Sequence, residues 1–448
     1  MEFSRKNNSI VVGILILSFL LYFYAIPVSL MTANFFGMLV SNYQYAAKKV
    51  HSEDFKYATD SSPAAIVPLR VDLGANSLQK NTATLTDAPA VVRALYVTGW
   101  SAGTKNYLRY LESIFETTQI NALVIDVKDA TGIVSYATDA PKAKEYKAYH
   151  AEIGDIDALI KNLHGKGIYV IGRIVVFEDP VLAKNRPDLA VYDTKKTVDV
   201  TKPVVWENRQ GLAWVDPAST EVWDYNIEIA RDAANRGFDE INFDYIRFPT
   251  DGQEEAMGFP IWDKKIPKNF VIKNFFQTLR EGLPQTRLSA DIFGQTTTNT
   301  DDMGIGQIFE DALGYFDYVC PMIYPSHYIS GFIGYKNPAE YPYQIVTYAT
   351  DGALARQKVY DAVNSKAVTD TTENALPAPV PEQTQRAKIR PWLQDFNLGA
   401  VYDAEMVKKE IQAVKDSMGE DFSGFMLWNP SNVYSVEAVA KDIRPVAY

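Results

Sequence analysis

Two aspartates, Asp244 and Asp291, lie late in two successive apolar segments, EINFDYIRFP (240–249) and RLSADIFG (287–294). Two carboxyl groups that face one cleft can hydrolyse a glycosidic bond, because one donates a proton to the leaving oxygen while the other attacks or activates water. Like charge and partial burial would raise the pKa of one group and keep it protonated near neutral pH. We therefore predict Asp244 as the nucleophile or general base and Asp291 as the proton donor.

Two other classes of protein use the same residue types. A glycan-binding or cell-wall scaffold protein needs aromatic rings and hydrogen-bond donors, but no acid and base pair. A metal-dependent hydrolase would use Asp126, Asp244 and Asp291 as hard oxygen ligands. The four histidines are scattered, and the single cysteine, Cys320, lies in the apolar segment YVCPMIYP. We expect neither a metal site nor a cofactor.

Short apolar segments alternate with amphipathic helical segments from residue 91 onward, which predicts βα units and a parallel sheet. The predicted strands are RALYVTGW, ALVIDVKD, YVIGRIVVFED, EINFDYIRFP, RLSADIFG, YVCPMIYP, KIRPWLQDF and GFMLWNP. This pattern predicts an α/β fold, a (β/α)8 TIM barrel over residues 91–448, with insertions near 193–213 and 365–387. An open doubly wound sheet is the second candidate, but VTGWSAGTKN after the first strand is not a phosphate-binding glycine motif.

Alternate residues of a strand point to opposite faces of its sheet. In the predicted strands one alternate set is apolar and suits the helix layer. The polar set is expected inside the barrel near its C-terminal mouth, where barrel active sites are built. This inward set comprises Asp126, Lys128, Arg173, Asn242, Asp244 and Asp291. We predict substrate-binding roles for Asp126, Lys128, Arg173, Arg247, Tyr324, Gln394 and Trp428.

Some of these residues also have purely structural interpretations. Asp126 with Lys128, or Arg173 with a carboxylate, could form an ion pair inside the barrel. Trp100 and Trp428 suit either the core or a platform on which a sugar ring stacks. His327, just after the sixth predicted strand, is interpreted as a loop residue and not as a catalytic base.

The N-terminal region has the character of a membrane segment. No charged residue occurs between Asn7 and Ala47, and the apolar run is longer than the roughly 20 residues that cross a bilayer. We predict an uncleaved anchor and juxtamembrane segment over 1–51 and a flexible linker over 52–90, with the barrel outside the cytoplasm. Secretion after signal cleavage is the alternative.

Composition narrows the range of partners. The chain carries 44 Lys plus Arg against 55 Asp plus Glu, a formal charge of −11, and no long basic run. Nucleic acid is therefore not an expected partner, because phosphate binding needs clustered cations. A carbohydrate is the expected substrate, and the oligomeric state is left open.

Six segments in order, VIDVKD, GRIVVFEDPVLA, FDYIRFP, ADIFG, CPMIYPSHY and FMLWNPSN, resemble a bacterial family of glycoside hydrolase-like domains that was formerly of unknown function. The resemblance covers about residues 91–444 and implies a TIM barrel and a glycan substrate. The arrangement is also similar to alpha-amylase-like enzymes, whose aspartate nucleophile follows the fourth strand and whose glutamate acid follows the fifth. Asp244 and Asp291 occupy similar places.

The sequence departs from the well-understood barrel patterns at several positions. The acid would be Asp291 instead of a glutamate, and Asn242 stands where the amylase-like pattern has an arginine, with Arg247 lying after the nucleophile. Ile246 stands where chitinases have their proton donor. Cellulase-type barrels need glutamates on the fourth and seventh strands, and the seventh strand here offers Gln394 and Asp395. The amylase-like arrangement therefore fits best.

Overall fold

The computed structural model describes residues 84–85, 87–369 and 386–441. The predicted anchor over 1–51 lies outside the described residues, as do nearly all of the predicted linker over 52–90 and most of the insertion over 365–387. Within the described ranges, no helix is both long enough and apolar enough to cross a membrane.

The described chain forms a closed barrel of parallel strands. In chain order its strands are β1 Val92–Val97, β2 Ala122–Lys128, β3 Tyr169–Val175, β5 Glu240–Asp244, β7 Leu288–Phe293, β8 Tyr318–Met322, β9 Lys388–Ile389, β10 Trp392–Gln394 and β11 Gly424–Trp428. Pro391, which has no N–H to donate, separates β9 from β10, and together they form the seventh strand. Because β11 pairs with both β1 and β10, and β10 reaches β8, the sheet closes. The barrel prediction is confirmed, and the open doubly wound sheet is wrong.

Helices cover the outside of the barrel. They are α1 Gly99–Ala102, α2 Lys105–Thr117, α3 Pro141–Glu145, α4 Ile156–Gly165, α5 Pro180–Asn185, α6 Thr220–Asn235, α7 Lys268–Gly282, α8 Phe309–Leu313, α9 Pro342–Thr369 and α10 Ala404–Met418. Several begin at side-chain caps of the expected kind, such as Asp155 accepting from the N–H of Ala158 and Ser219 accepting from that of Val222. Near the end of the described residues, Val436–Ala438 forms a single 3-10 turn.

Two apolar layers follow from the alternation along the strands. Outward residues such as Ile125, Ile174 and Phe243 pack under the helices in the main core. Inward residues fill the barrel, and this second cluster includes Ala94, Val124, Ile171, Cys320, Trp392 and Met426. The fully buried ion pair of Glu240 with Arg390 also lies among the inward residues. Because side chains fill the barrel, a substrate can approach only at its mouth.

The insertion near 193–213 forms a small structure of its own beyond β3. Its strand β4, Tyr192–Asp193, pairs antiparallel with β6, Met257–Gly258. Trp206 is buried against Gly252, where an added Cβ would lie 2.5 Å from the indole ring. This close approach requires glycine at position 252, and it fixes the segment that carries Asn208 and Trp214.

Candidate functional site

Polar and aromatic side chains from successive strands meet at the C-terminal end of the barrel. They are Tyr96 on β1, Asp126 on β2, Arg173 on β3, Asp244 on β5, Asp291 on β7, Trp392 on β10 and Trp428 on β11. Each lies on the inward face expected from the alternation of its strand. The carboxyl ends of parallel barrel strands are where such enzymes place their reacting groups.

Arg173 joins two of the carboxylates. Its Nη1 donates to Oδ1 of Asp126 at 2.6 Å, and its Nε and Nη2 donate to Oδ2 of Asp244 at 3.1 and 2.6 Å. The hydroxyl of Tyr96 donates to the other oxygen of Asp126 at 2.6 Å. Burial raises the pKa of Asp126, while the Arg173 guanidinium and the Tyr96 hydroxyl act against the rise. The arginine thus compensates negative charge that would be costly to bury alone.

Aromatic rings surround this guanidinium. Tyr96 and Trp428 are stacked with ring centroids 3.9 Å apart, and the Arg173 guanidinium lies 5.0 Å from the centre of the Trp428 ring. Trp392 meets Trp428 edge-on at 5.6 Å. Trp428 is partly exposed, so one part of this aromatic group remains open to solvent. Such a surface suits the apolar face of a sugar ring, the platform role considered for Trp428.

The backbone turns sharply directly after Asp244. Tyr245 has a φ of 53°, in the left-handed region that a bulky residue seldom adopts. Its N–H donates to Oδ1 of Asp244 at 2.6 Å. A conformation of this kind costs on the order of 1–3 kcal/mol and is found mainly at functional sites. The turn places Asp244 at the end of its strand with both carboxylate oxygens hydrogen-bonded.

Asp291 lies in a different environment from Asp244. One oxygen, Oδ1, accepts from Nδ2 of Asn242 at 2.8 Å and from Nε1 of Trp392 at 2.7 Å. The residue is 1% exposed. Burial, and secondarily the negative charge of Asp244, raise the pKa of Asp291 well above its usual range, although both hydrogen bonds oppose the rise. These surroundings favour the protonated form of Asp291 beside Asp244.

A third carboxyl group, Glu178, was missed in the sequence. It lies just beyond β3, is 2% exposed, and accepts a hydrogen bond at 3.0 Å from Nδ2 of Asn208 in the insertion. Burial raises the pKa of Glu178 to about 7, with Arg247 opposing the rise. The available signal was an acid directly after the apolar end of a predicted strand, in IVVFED.

Arg247 lies close to Glu178 and is enclosed by rings. Its guanidinium carbon is 4.8 Å from the centre of Trp214, 5.5 Å from Tyr245 and 5.0 Å from Phe293. Its Nη2 bonds to Asp251 at 2.5 Å. Arg247 therefore lies on the β3 and β5 side of the mouth, as a positive charge beside Glu178.

Lys128 does not join the other predicted site residues. The pairing of β2 with β3 shifts register between Asp126 and Lys128, so the expected alternation ends there. The ammonium group of Lys128 bonds to Asp179 at 2.5 Å, with both side chains fully buried, and lies 5.2 Å from the ring of Tyr225 on α6. The expected pairing of Lys128 with Asp126 is replaced by this outer ion pair.

Gln394 and Tyr324 are inward but are held by neighbouring protein groups. Gln394 is buried, and its side-chain amide accepts from the N–H of Ser326 at 3.1 Å and donates to the carbonyl of Phe396 at 2.9 Å. Tyr324 is buried beside the rings of His327 and Phe396. His327 itself lies in an exposed 3-10 turn, in keeping with its interpretation as a loop residue.

The structure also bears on the metal-dependent alternative. Within the described ranges no group of three or more His, Cys, Asp or Glu residues is arranged to hold a metal ion. Asp126 and Asp244 share Arg173 between them.

Comparison with known proteins gives the family. A family model described as "Putative glycosyl hydrolase domain" matches residues 94–434. The chain belongs to this family. The resemblance seen in the six sequence segments is thereby confirmed, and so is the glycoside hydrolase character of the domain at the level of its family. No match was found among curated proteins.

Several solved structures are similar to this chain. The PgaB (BpsB) glycoside hydrolase domain from Bordetella bronchiseptica is 14% identical and covers 78% of this chain and 99% of its own, with a TM-score of 0.51. A hypothetical protein from Ruminiclostridium thermocellum ATCC 27405 is 40% identical over 44% of this chain and 96% of its own, with a TM-score of 0.39. An alpha-galactosidase from Thermus thermophilus is 14% identical, covers 78% of this chain and 60% of its own, and has a TM-score of 0.43. The likeness to the PgaB domain is one of fold.

Proposed function

We propose that the protein hydrolyses glycosidic bonds and that Asp244 is its nucleophile or general base. The observation that carries this proposal is the contrast between Asp244 and Asp291. Arg173 pairs with the Asp244 carboxylate, whereas burial raises the pKa of Asp291 well above its usual range. Two neighbouring carboxyl groups whose environments favour opposite protonation states are the usual basis for dividing base and acid roles.

The chemistry follows from these two states. A charged Asp244 can attack the anomeric carbon or take a proton from the attacking water. A protonated carboxyl group must supply the proton that the leaving oxygen takes as its bond to carbon breaks. The sequence predicts Asp291 for that role, and the structure adds Glu178 as a second carboxyl group with a raised pKa.

A specific observation favours the rival function, a non-catalytic glycan-binding scaffold. Asp244 is 5% exposed and Arg173 occupies one of its oxygens, so the carboxylate could serve the fold alone. Two features favour hydrolysis instead. The left-handed Tyr245 orients Asp244 at a conformational cost, and burial raises the pKa values of two nearby acids, Asp291 and Glu178. A scaffold requires neither feature.

For the substrate we propose a polysaccharide or cell-wall glycan outside the cytoplasm. This rests on the family, on the partly exposed Trp428 at the barrel mouth and on the long uncharged run near the N-terminus. An anchored hydrolase would act on a polymer that cannot enter the cell. Arg173 and Trp428 are proposed to contact this substrate, and Asp126 to hold Arg173 in place.

The proposal is tested with the full-length protein in mild detergent. It is incubated with purified cell-wall and storage polysaccharides between pH 4 and 9, and new reducing ends are measured. We expect release from at least one polymer and its loss in Asp244→Asn. Binding of a polymer without release at any pH would establish the scaffold function instead.

The location is tested by fractionating cells that make the full-length protein. We expect it in the membrane fraction, resistant to carbonate extraction and digested by external protease in spheroplasts. N-terminal sequencing distinguishes the two modes of export. A mature chain that begins between residues 25 and 45 would show signal cleavage and overturn the anchor.

A further inference from the structure

We propose that Glu178 is the proton donor of the site and that Asp291 is a positioning residue. This assignment rests on the proposed hydrolase function and differs from the sequence prediction for Asp291. It is carried by where each carboxyl group lies relative to Asp244 and by what covers it.

The backbone beyond β3 runs alongside Asp244. The N–H of Val176 donates to the carbonyl of Asp244 at 3.0 Å, and the N–H of Phe177 donates to the carbonyl of Tyr245 at 3.4 Å. The ladder between β3 and β5 therefore continues past the nucleophile, and Glu178 is the next residue. A proton donor at position 178 therefore lies further toward the barrel mouth than Asp291, which lies within β7. It extends from β3, the strand that pairs with the β5 strand of Asp244.

The groups that bury the two acids differ in kind. Asp291 is held by Asn242 on β5 and Trp392 on β10, which are themselves parts of the barrel wall. Exposing Asp291 would require moving barrel strands. Glu178 bonds instead to Asn208, in the insertion outside the barrel, and its backbone pairs with that of Trp214 just after this insertion. A substrate can displace a loop contact at far lower cost than a buried strand.

The electrostatic surroundings also separate the two acids. The charged groups that face Glu178 are Arg247, which favours its ionised form, and Asp251 and Asp244, which oppose it. Burial is the largest influence, and the resulting pKa of about 7 suits a group that must give up a proton near neutral pH. Burial raises the pKa of Asp291 well above its usual range, and the negative charge of Asp244 adds to this rise.

The step is balanced as follows. The bond between the anomeric carbon and the glycosidic oxygen breaks, and its electron pair stays on that oxygen, which takes the proton of Glu178. Asp244 forms the new bond to the anomeric carbon, or takes a proton from the water that forms it. In the first case the Glu178 carboxylate regains its proton from the water that releases the sugar, and in the second from bulk water. Asp291 takes no part in this proton transfer and keeps its contacts with Asn242 and Trp392.

The test compares Glu178→Gln with Asp291→Asn in the full-length protein. Two substrates are used: the polysaccharide that the wild type hydrolyses and a 2,4-dinitrophenyl glycoside of the same sugar, whose leaving group needs no proton. For Glu178→Gln we expect kcat/KM on the polymer to fall about a thousandfold and that on the aryl glycoside to fall less than tenfold. The wild-type rate should fall as the pH rises through about 7, and this fall should disappear in Glu178→Gln. Asp291→Asn should lower kcat/KM for both substrates by a similar factor and should retain the wild-type pH profile.

Glu178→Ala provides a check that does not depend on the glutamine variant. If Asp244 is the nucleophile, azide should attack its covalent glycosyl intermediate, raise kcat for the aryl glycoside and yield a glycosyl azide, because a small anion can enter the space left by the side chain. If the loss of kcat/KM depended on the leaving group in Asp291→Asn but not in Glu178→Gln, the assignment would be overturned and the donor role would return to Asp291. A wild type that turns over neither substrate would overturn the hydrolase function and this assignment with it.

Discussion

Arg173 donates two hydrogen bonds to a single oxygen of Asp244, from Nε at 3.1 Å and from Nη2 at 2.6 Å. The other oxygen accepts the N–H of Tyr245. The carboxylate is therefore fixed in orientation and its charge is compensated, while Asp126 holds the opposite edge of the guanidinium. A group prepared in this way does not have to be reorganised when charge changes during a reaction.

Replacing Asp244 by asparagine tests this arrangement. The variant keeps the size of the side chain but removes the charge, so we expect a loss of about a thousandfold or more in turnover, equivalent to about 4 kcal/mol of transition-state stabilisation. Arg173 keeps Asp126 as a partner, so the free energy of unfolding should fall by only about 2 kcal/mol. Reducing-end release and urea unfolding measure the two effects.

Asp126→Asn is the matched control for Asp244. It removes the other carboxylate bound to Arg173, so its effect on stability should be similar, while turnover should fall much less. If Asp244→Asn retained near wild-type rates on a natural glycan, Asp244 would not be the nucleophile or base. Equal losses in the two variants would indicate that the cluster acts as a structural unit.

Lys128→Met tests whether Lys128 serves the fold or the substrate. Its ammonium group and Asp179 are fully buried partners, and removing one partner of such a pair costs about 3–5 kcal/mol because the other charge is left uncompensated. We expect that loss in the free energy of unfolding, measured in urea, and no change in KM. A raised KM with unchanged stability would restore the substrate-binding role predicted from the sequence.

A double variant separates the ion pair from the helix cap. Asp179 also accepts the N–H of Leu182 at 2.8 Å at the start of α5. Asparagine can keep that cap while losing the charge. Lys128→Met combined with Asp179→Asn should therefore recover part of the stability lost in Lys128→Met. A double variant less stable than the single one would show that the buried charge is not the cause.

The contrast between Asp126 and Lys128 shows how far strand alternation can predict a site. Alternation correctly placed Arg173, Asp244 and Asp291 inside the barrel, because side-chain direction in a regular strand follows from backbone geometry. It placed Lys128 wrongly, because the register shift after Asp126 breaks that geometry. Nothing in ALVIDVKD marks such a shift, which depends on the neighbouring strand.

Glu178 and α9 were missed for a related reason. Glu178 lies beyond the regular part of β3 and bonds to Asn208, thirty positions away in the chain. Tertiary contact of this kind has no local signal. Helix α9 extends over Pro342–Thr369 without a strong apolar stripe, so periodicity gave little indication of it. The barrel strands, by contrast, are buried apolar runs whose pattern is complete in the sequence.

Glu178→Gln should change how stability depends on pH. A carboxyl group whose pKa is raised by folding binds its proton more tightly in the folded state, so its contribution is complete below about pH 4.5 and is lost as the pH rises through about 7. Glutamine does not titrate. The wild type should therefore lose stability relative to Glu178→Gln between pH 5 and pH 8, measured by urea unfolding at each pH. A difference that stays constant across this range would show that Glu178 is not buried as an acid.

Trp100 lies at the rim of the mouth, in α1 directly after β1. It is 62% exposed, so the interpretation of Trp100 as a core residue is wrong. Its ring lies 5.3 Å from that of His150. An exposed tryptophan on the same end of the barrel as Asp244 is suited to stack on a sugar unit of a long substrate, away from the bond that is cleaved.

Trp100→Ala should weaken binding of a polymer but not of a small substrate. Covering about 55 Å² of the indole face contributes about 1.4 kcal/mol, which corresponds to about tenfold in affinity. We expect KM for the polysaccharide to rise about tenfold with kcat unchanged, and KM for a dinitrophenyl monosaccharide glycoside to stay the same. Phe270→Ala, which removes an exposed ring from α7, serves as the control and should affect neither substrate. An equal rise in KM for both substrates would place Trp100 at the cleavage point itself, and no rise for either would exclude it from the substrate path.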